Sequence, residues 1–345
     1  MGRVLVTGSA GFIGQVLMPL LAERGWDAVG LDADYYDGCD LAGFSVTPTA
    51  IRKDIREVGP ADLASFDAVI HLAGLSNDPV GDLDRELTLD INLKASVRLA
   101  EMARAAGVKR FVFSSSCSVY GARSSAPVTE DDPLEPLTAY AVSKVATEQE
   151  VSKLATADFC PVFLRNATVY GASARLRLDL VVNNLVGWAH TSGAIRITSD
   201  GSPWRPLIHV ADVSAAFAAA LEAPAERVSN QSMNIGTDEQ NYTVRQIAEM
   251  VHEAMPEATI TFSDNPPADN RSYRVDFSKA RRLMPEFKPS WSLAAGIVQL
   301  RDAYLGSGLS QAEFDGDRYT RLKRIQSLLA SGDLDSQLRR VPVPA

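Results

Sequence analysis

Tyr140 and Lys144 stand one helical turn apart in the run Thr138-Ala139-Tyr140-Ala141-Val142-Ser143-Lys144. Spaced by four, both side chains leave the same face of a helix. An ammonium beside a phenol favours the phenolate, so Lys144 is expected to lower the Tyr140 pKa toward neutrality. A tyrosine tuned in this way accepts the proton of an alcohol as a hydride leaves the same carbon. Ser116 closes the strand pattern Arg110-Phe111-Val112-Phe113-Ser114-Ser115, where catalytic groups of open α/β sheets gather. Its hydroxyl can donate to an oxygen whose charge changes during that step. Each residue also has a structural reading, since Tyr–Lys pairs share many helix faces and serines finish many strands. The amino terminus decides between the readings.

The chain opens with Arg3-Val4-Leu5-Val6-Thr7, a valine-rich run suited to a buried parallel strand. Gly8, Gly11 and Gly14 follow at once, and then a helical pattern of Phe12, Ile13, Val16, Leu17, Leu20 and Leu21. Glycine suits a tight turn where bare backbone approaches a pyrophosphate at a helix amino terminus. Strand, glycine loop and helix in that order give the dinucleotide fingerprint its required context. A second strand, Ala28-Val29-Gly30-Leu31, ends in Asp32, a carboxylate placed to accept from a ribose diol and to repel a 2′-phosphate. No arginine neighbours Asp32 in the sequence, which favours NAD over NADP. Pro19 conflicts with the first helix, and a kink or loosened turn is expected there.

The elements that must position these groups alternate as a doubly wound fold requires. Strands are predicted at 3–7, 27–32, 67–72, 110–115, 160–166 and 206–210, and helices near 12–24, 85–106, 138–156 and 211–222. The expected fold is α/β: a Rossmann-type parallel sheet over residues 1–172, rejoined by 204–228. A smaller substrate-binding lobe and tail would come from 173–203 and 229–345. The net charge of −9 argues against nucleic acid or an anionic membrane as the main partner. No apolar run approaches spanning length, and with a strand predicted from Arg3 no leader is expected. Three scattered cysteines, Cys39, Cys117 and Cys160, suggest a reducing cytoplasm. The four histidines show no zinc spacing, so no metal is expected, and His71 and His209 read as structural.

These motifs together resemble the extended short-chain dehydrogenase/reductase family, in the NAD-dependent nucleotide-sugar epimerase/dehydratase group that includes UDP-galactose 4-epimerase. The markers are Thr7 to Gly14, Asp32, Asp54-Ile55, His71-Leu72-Ala73-Gly74, Asn92, Ser114-Ser115-Ser116, Val119-Tyr120-Gly121, Tyr140 to Lys144, and Arg205-Pro206-Leu207-Ile208-His209-Val210. They cover the chain to about residue 300. The resemblance implies NAD as cofactor, with Asp54 and Ile55 flanking the adenine and Leu72, Ala73, Gly74, Asn92 and Ser114 along the dinucleotide. Lys144 would also hold the nicotinamide ribose. It further implies a nucleotide-diphosphate sugar as substrate, and a homodimer formed through the helices 85–106 and 138–156.

Two positions discriminate the chemistry. The 4,6-dehydratases of this family place Asp-Glu after the catalytic serine, and the decarboxylases carry Glu at the second position. This chain has Cys117-Ser118, and neither side chain supplies an acid or base at neutral pH. The expected reaction is therefore oxidation of a sugar hydroxyl, usually at C4. Returning the hydride gives an epimerase; a hydride that does not return gives a dehydrogenase or 4-ketoreductase. The family's usual asparagine is replaced in Arg165-Asn166-Ala167-Thr168-Val169-Tyr170-Gly171, and Thr168 and Asn183 are candidates for contacting the sugar. By resemblance Arg205 and Arg271 meet the substrate's diphosphate, a task that suits a guanidinium fork. The run Arg175 to Asn183 is unusual beside the epimerases and looks like one in relatives that oxidise nucleotide-linked heptoses. The basic, helically patterned tail 311–340 is expected to pack on the substrate lobe or a partner subunit.

Overall fold

A computed structural model of the chain describes residues 2–122, 126–263 and 272–341. The strands are β1 (Arg3–Thr7), β2 (Asp27–Asp32), β3 (Ile51–Arg52), β4 (Ala68–His71), β5 (Arg110–Ser116), β6 (Cys160–Asn166), β7 (Thr168–Tyr170), β8 (Ala194–Ile197), β9 (Trp204–His209), β10 (Gln231–Ile235), β11 (Asn241–Thr243) and β12 (Thr259–Phe262). Seven of them form a parallel sheet in the order β10-β6-β5-β4-β1-β2-β3. The order reverses beside β1, where β1 pairs with β2 on one side and β4 on the other, and ligands of such sheets bind at this switch point.

Alternation along the strands makes two cores. Val4, Val6, Ile70, Val112, Val162 and Leu164 face one layer, with helices α1 (Gly14–Glu23) and, later in the chain, Val210–Glu222. Leu5, Val69, Phe111, Phe113 and Phe163 face the other, and each such side chain contributes about 1.5–3 kcal/mol by leaving water. On that side lie α2 (Asp78–Gly81), α3 (Arg85–Leu89), α4 (Ala95–Ala105) and α5 (Ala139–Ser152), while α6 (Val181–Ser192) lies elsewhere and α7 is the helix Val210–Glu222. Pro19 does not break α1: Leu17, Met18 and Leu21 are buried on either side of it and hold the helix to the sheet and α7.

The remaining helices are α8 (Ala225–Val228), α9 (Val244–Ala254), α10 (Ser278–Leu283), α11 (Leu293–Ser307), α12 (Gln311–Asp315) and α13 (Arg321–Ser331). A third core gathers Leu178, Leu185, Ile195, Ile247, Ile297 and Leu300 from α6, α9, α11 and their neighbours. It includes a three-stranded sheet β11-β9-β7 and the pair β12-β8. The strand predicted at 206–210 therefore belongs to the small sheet, and the seventh strand of the large sheet is β10, which covers the edge of β6 in parallel register from Gln231↔Val162 to Ile235↔Asn166.

Two further expectations are corrected. The helix predicted over 85–106 is α3 and α4 joined by a π turn at Asp90–Lys94. The tail does not simply lie on the substrate lobe. Phe314 and Tyr319 enter the third core, but Ile325, Leu328, Leu334 and Leu338 cross to the second, against the sheet. Tyr35 donates to the Leu338 carbonyl at 2.5 Å, and Arg56 donates to that of Gln337 at 2.8 Å. No helix among the described residues is long and apolar enough to cross a membrane.

Candidate active site

A cavity of about 630 Å³ opens at the carboxyl ends of β1, β2, β4 and β5. Gly8, Gly11, Phe12, Ile13 and Gly14 line one wall. Gly8 has φ +75°, and a Cβ there would sit 2.7 Å from the Ala73 nitrogen. A Cβ on Gly14 would overlap the Ser9 carbonyl. The loop is thus bare backbone at the start of α1, a helix with no side-chain cap and no acid in its first turn, which leaves its amino end open to an anion. Asp32 closes this wall. Its Oδ2 accepts from the Ala10 amide at 3.0 Å and its Oδ1 from that of Asp34 at 2.8 Å, while burial pushes its pKa up.

Asp54, Ile55, Leu72, Ala73 and Gly74 also line the cavity. Asp54 is held by Arg56 through a fork whose closest contact is 2.6 Å, and that fork outweighs burial and keeps its carboxyl below the usual range. Asn92 is not in the wall. It is 2% exposed, accepting from the Leu75 amide at 2.7 Å and donating to the Leu75 carbonyl at 3.0 Å. It positions the Gly74–Leu75 turn from inside the π turn.

The reacting end combines Ser114, Ser116, Tyr140 and Lys144, all in the cavity wall. Thr138 caps α5, accepting from the Ala141 amide at 3.1 Å, and this fixes the direction of the first turn that carries Tyr140. Ser116 hydrogen-bonds Tyr140. The expected tuning of the phenol is not what the geometry gives. Burial pushes Tyr140 up to about 12, the Asp78 carboxylate adds to this, and the Ser116 bond and Arg177 charge oppose it. Lys144 donates at 2.7 Å to the Ser114 carbonyl and lies 5.5 Å from the Tyr140 ring; burial lowers its own pKa to about 8.

Thr168 and Arg205 line the cavity. Arg205 donates to the Trp204 carbonyl at 2.9 Å. Asn183 does not reach the cavity: it is fully buried, and its amide closes a two-way bond with the Gly171 backbone at 3.0 Å each way. Its neighbour Asn184 lines the wall instead. Arg271 lies outside the described residues. Cys117 is buried with its thiol 3.1 Å from the Arg165 carbonyl, and burial raises its pKa, so it fills space. His209 stacks 3.9 Å from Trp291 and bonds Gln299 at 2.8 Å, a structural role.

The geometry also brings in residues that sequence reasoning passed over as site groups. Arg177 forks onto Asp179 at 3.0 and 2.9 Å, Asn77 donates to the same carboxylate, and Asp78 accepts from Thr138 at 2.6 Å. With Tyr36 and Arg321 these line the cavity. The unusual run around Arg177 was visible in the sequence; Asp78, Tyr36 and Arg321 carried no local mark.

Residues 4–236 match the family described as NAD dependent epimerase/dehydratase. Over 311 residues the chain is 32% identical to a UDP-glucose 4-epimerase of Mycolicibacterium smegmatis, spanning 86% of this chain and 96% of that protein. Among solved structures it is similar to MoeE5 in complex with UDP-glucuronic acid and NAD, at 30% identity and a TM-score of 0.76, covering 89% of this chain and 100% of that one. It is similar also to TunA, an NAD-dependent NDP-hexosamine 5,6-dehydratase of tunicamycin biosynthesis, at 26% identity and a TM-score of 0.76, covering 89% and 98% of the two chains. The matched span runs from the glycine loop past the Tyr140 helix to β10, and the chain belongs to the NAD dependent epimerase/dehydratase family, with NAD as its cofactor.

Proposed function

We propose that this chain is an NAD-dependent nucleotide-sugar epimerase that works by transient oxidation of a sugar hydroxyl at C4. The observation that carries the reading is the Ser116–Tyr140 hydrogen bond in the cavity wall, with Lys144 beside it and no carboxylate at positions 117 and 118. Tyr140 takes the hydroxyl proton, Ser116 holds the oxygen while its charge changes, and Lys144 supports the ionised phenol. The glycine loop and Asp32 would hold NAD, which when bound would supply the hydride-accepting and hydride-returning chemistry. Returning the proton from Tyr140 to the ketone oxygen, after the sugar has turned over, completes the inversion.

One observation favours a second reading. Asp78 and Asp179 place carboxylates in the wall that the view of positions 117 and 118 leaves out, and the similar TunA is a dehydratase. Asp179 is already engaged by Arg177 and Asn77, which favours epimerisation. Incubation with UDP-, dTDP-, GDP- and CDP-sugars, UDP-sugars first because relatives carry UDP in their names, separates the readings by mass and NMR. Epimers of unchanged mass are expected. Ketosugar with stoichiometric NADH would make the chain a dehydrogenase, and a product lighter by one water would make it a dehydratase.

A further inference from the structure

Arg321 opens α13 in the tail, yet it is 2% exposed and lines the cavity. Its carbon Cζ lies 3.8 Å from the centre of the Tyr36 ring, and Nη2 donates to the Arg175 carbonyl at 3.4 Å. Nη1 has no partner among the described residues. Burial pushes the pKa down to about 10, so the group is still a cation at neutral pH. The nearby carboxylate, Asp179, is already forked by Arg177 and bonded by Asn77. Asp78, in the same wall, is bonded by Thr138, so among the described residues neither carboxylate is bonded to the Arg321 Nη1, which stays buried without an acceptor. A buried cation of this kind is costly unless an anion meets it, and the Tyr36 ring offsets only part of that cost.

The position says which anion. Tyr36 lies four residues past Asp32, at the ribose end of the glycine wall, and the Arg177 charge reaches both Tyr36 and Tyr140. Arg321 stacks on Tyr36, whose surroundings also include Asp32, Arg177 and Asp179. We propose that Arg321 is a phosphate-binding residue delivered by the C-terminal tail, so that the tail straps a bound nucleotide diphosphate into the cavity. The dinucleotide and the sugar nucleotide both carry that group; the Tyr36 neighbourhood places Arg321 on the dinucleotide's. The strap is fastened beyond Arg321, where Leu334 and Leu338 are buried and Arg56 donates to the Gln337 carbonyl.

The test is calorimetric titration of the full-length protein with ADP, adenosine, UDP and uridine. Arg321→Gln is expected to weaken ADP about tenfold or more while leaving adenosine unchanged, since only ADP presents the charged partner. Arg321→Lys, which keeps the charge but not the fork, is expected to fall between. Loss of UDP affinity without loss of uridine affinity would also support a phosphate site, and would assign it to the sugar nucleotide. Unchanged ADP and UDP binding would overturn the proposal. So would ADP falling in step with adenosine, or UDP with uridine, because a tail with a purely structural role acts on the whole nucleotide. If the glutamine variant fails to fold, the lysine variant carries the same comparison.

Discussion

The phenol of Tyr140 sits between opposing influences: burial and the Asp78 carboxylate keep its proton on, while the Ser116 bond and the Arg177 charge draw it off. Burial wins in the protein alone, and the proton-accepting state therefore depends on charge brought into the cavity when it fills. Tyr140→Phe removes the acceptor and keeps the ring. NADH binding, followed by fluorescence, should be nearly unchanged, while turnover of whichever sugar nucleotide is accepted should fall about a hundredfold or more. Near-normal turnover would take Tyr140 out of the mechanism. The catalytic set was readable because its cues are local: a spacing of four on one helix, and a serine at a strand end. Asp78 and Arg177 were not, because they approach Tyr140 only through the turn after β4 and the loop after β7.

At the scale of elements, β4 shows how a fold stores a pH response. His71 ends this strand, fully buried, bonded to the Thr7 hydroxyl at 2.6 Å on β1 and to the Ser96 hydroxyl at 2.8 Å on α4. Burial lowers its pKa to about 3, and the Lys144 charge adds to this. The unfolded ring takes up a proton below its ordinary 6.5, whereas the folded ring stays neutral. The contribution is thus complete above 6.5 and is lost as pH falls from there toward 3, with a slope of up to about 1.4 kcal/mol per pH unit. Urea unfolding from pH 7 to pH 4 should show a shallower acid loss in His71→Gln than in the parent. Equal slopes would mean that other groups carry the acid response. The strands at the sheet centre were legible from their apolar runs. The π turn was not: it exists so that Asn92 can satisfy both backbone groups of Leu75, a tertiary demand with no local signature. Similarly, β10 begins Gln231-Ser232 and reads as polar, yet it is the strand that covers the edge of β6.

Across the whole molecule, the surroundings of Asp32 are assembled from segments that are remote in the chain. Arg52 lies 3.5 Å from the Asp34 carboxylate, Arg340 of the tail donates to the carbonyls of Ala33 and Asp34, and the Arg175 charge reaches Asp32. The sequence around Asp32 shows no arginine, so this positive ring was invisible until the tail and the loop after β7 were placed. The three guanidiniums do not form a free pocket for a 2′-phosphate, because each is engaged: Arg52 also reaches Asp37 at 3.5 Å, Arg175 pairs with Asp40 at 3.2 Å, and Arg340 serves backbone carbonyls. The carboxylate of Asp32 is meanwhile fixed by two backbone amides at the cavity wall. A 2′-phosphate there would meet it directly, and a like-charge contact of this kind costs enough to separate the two cofactors by about tenfold or more. NAD is therefore expected to bind more tightly than NADP. Asp32→Ala removes the repulsion and leaves the arginines in place, so NADP should gain on NAD in that variant. Titration of parent and variant with both dinucleotides decides the point. Equal affinities in the parent would mean that Asp32 does not select, and that the arginines drawn in from residues 52, 175 and 340 outweigh it.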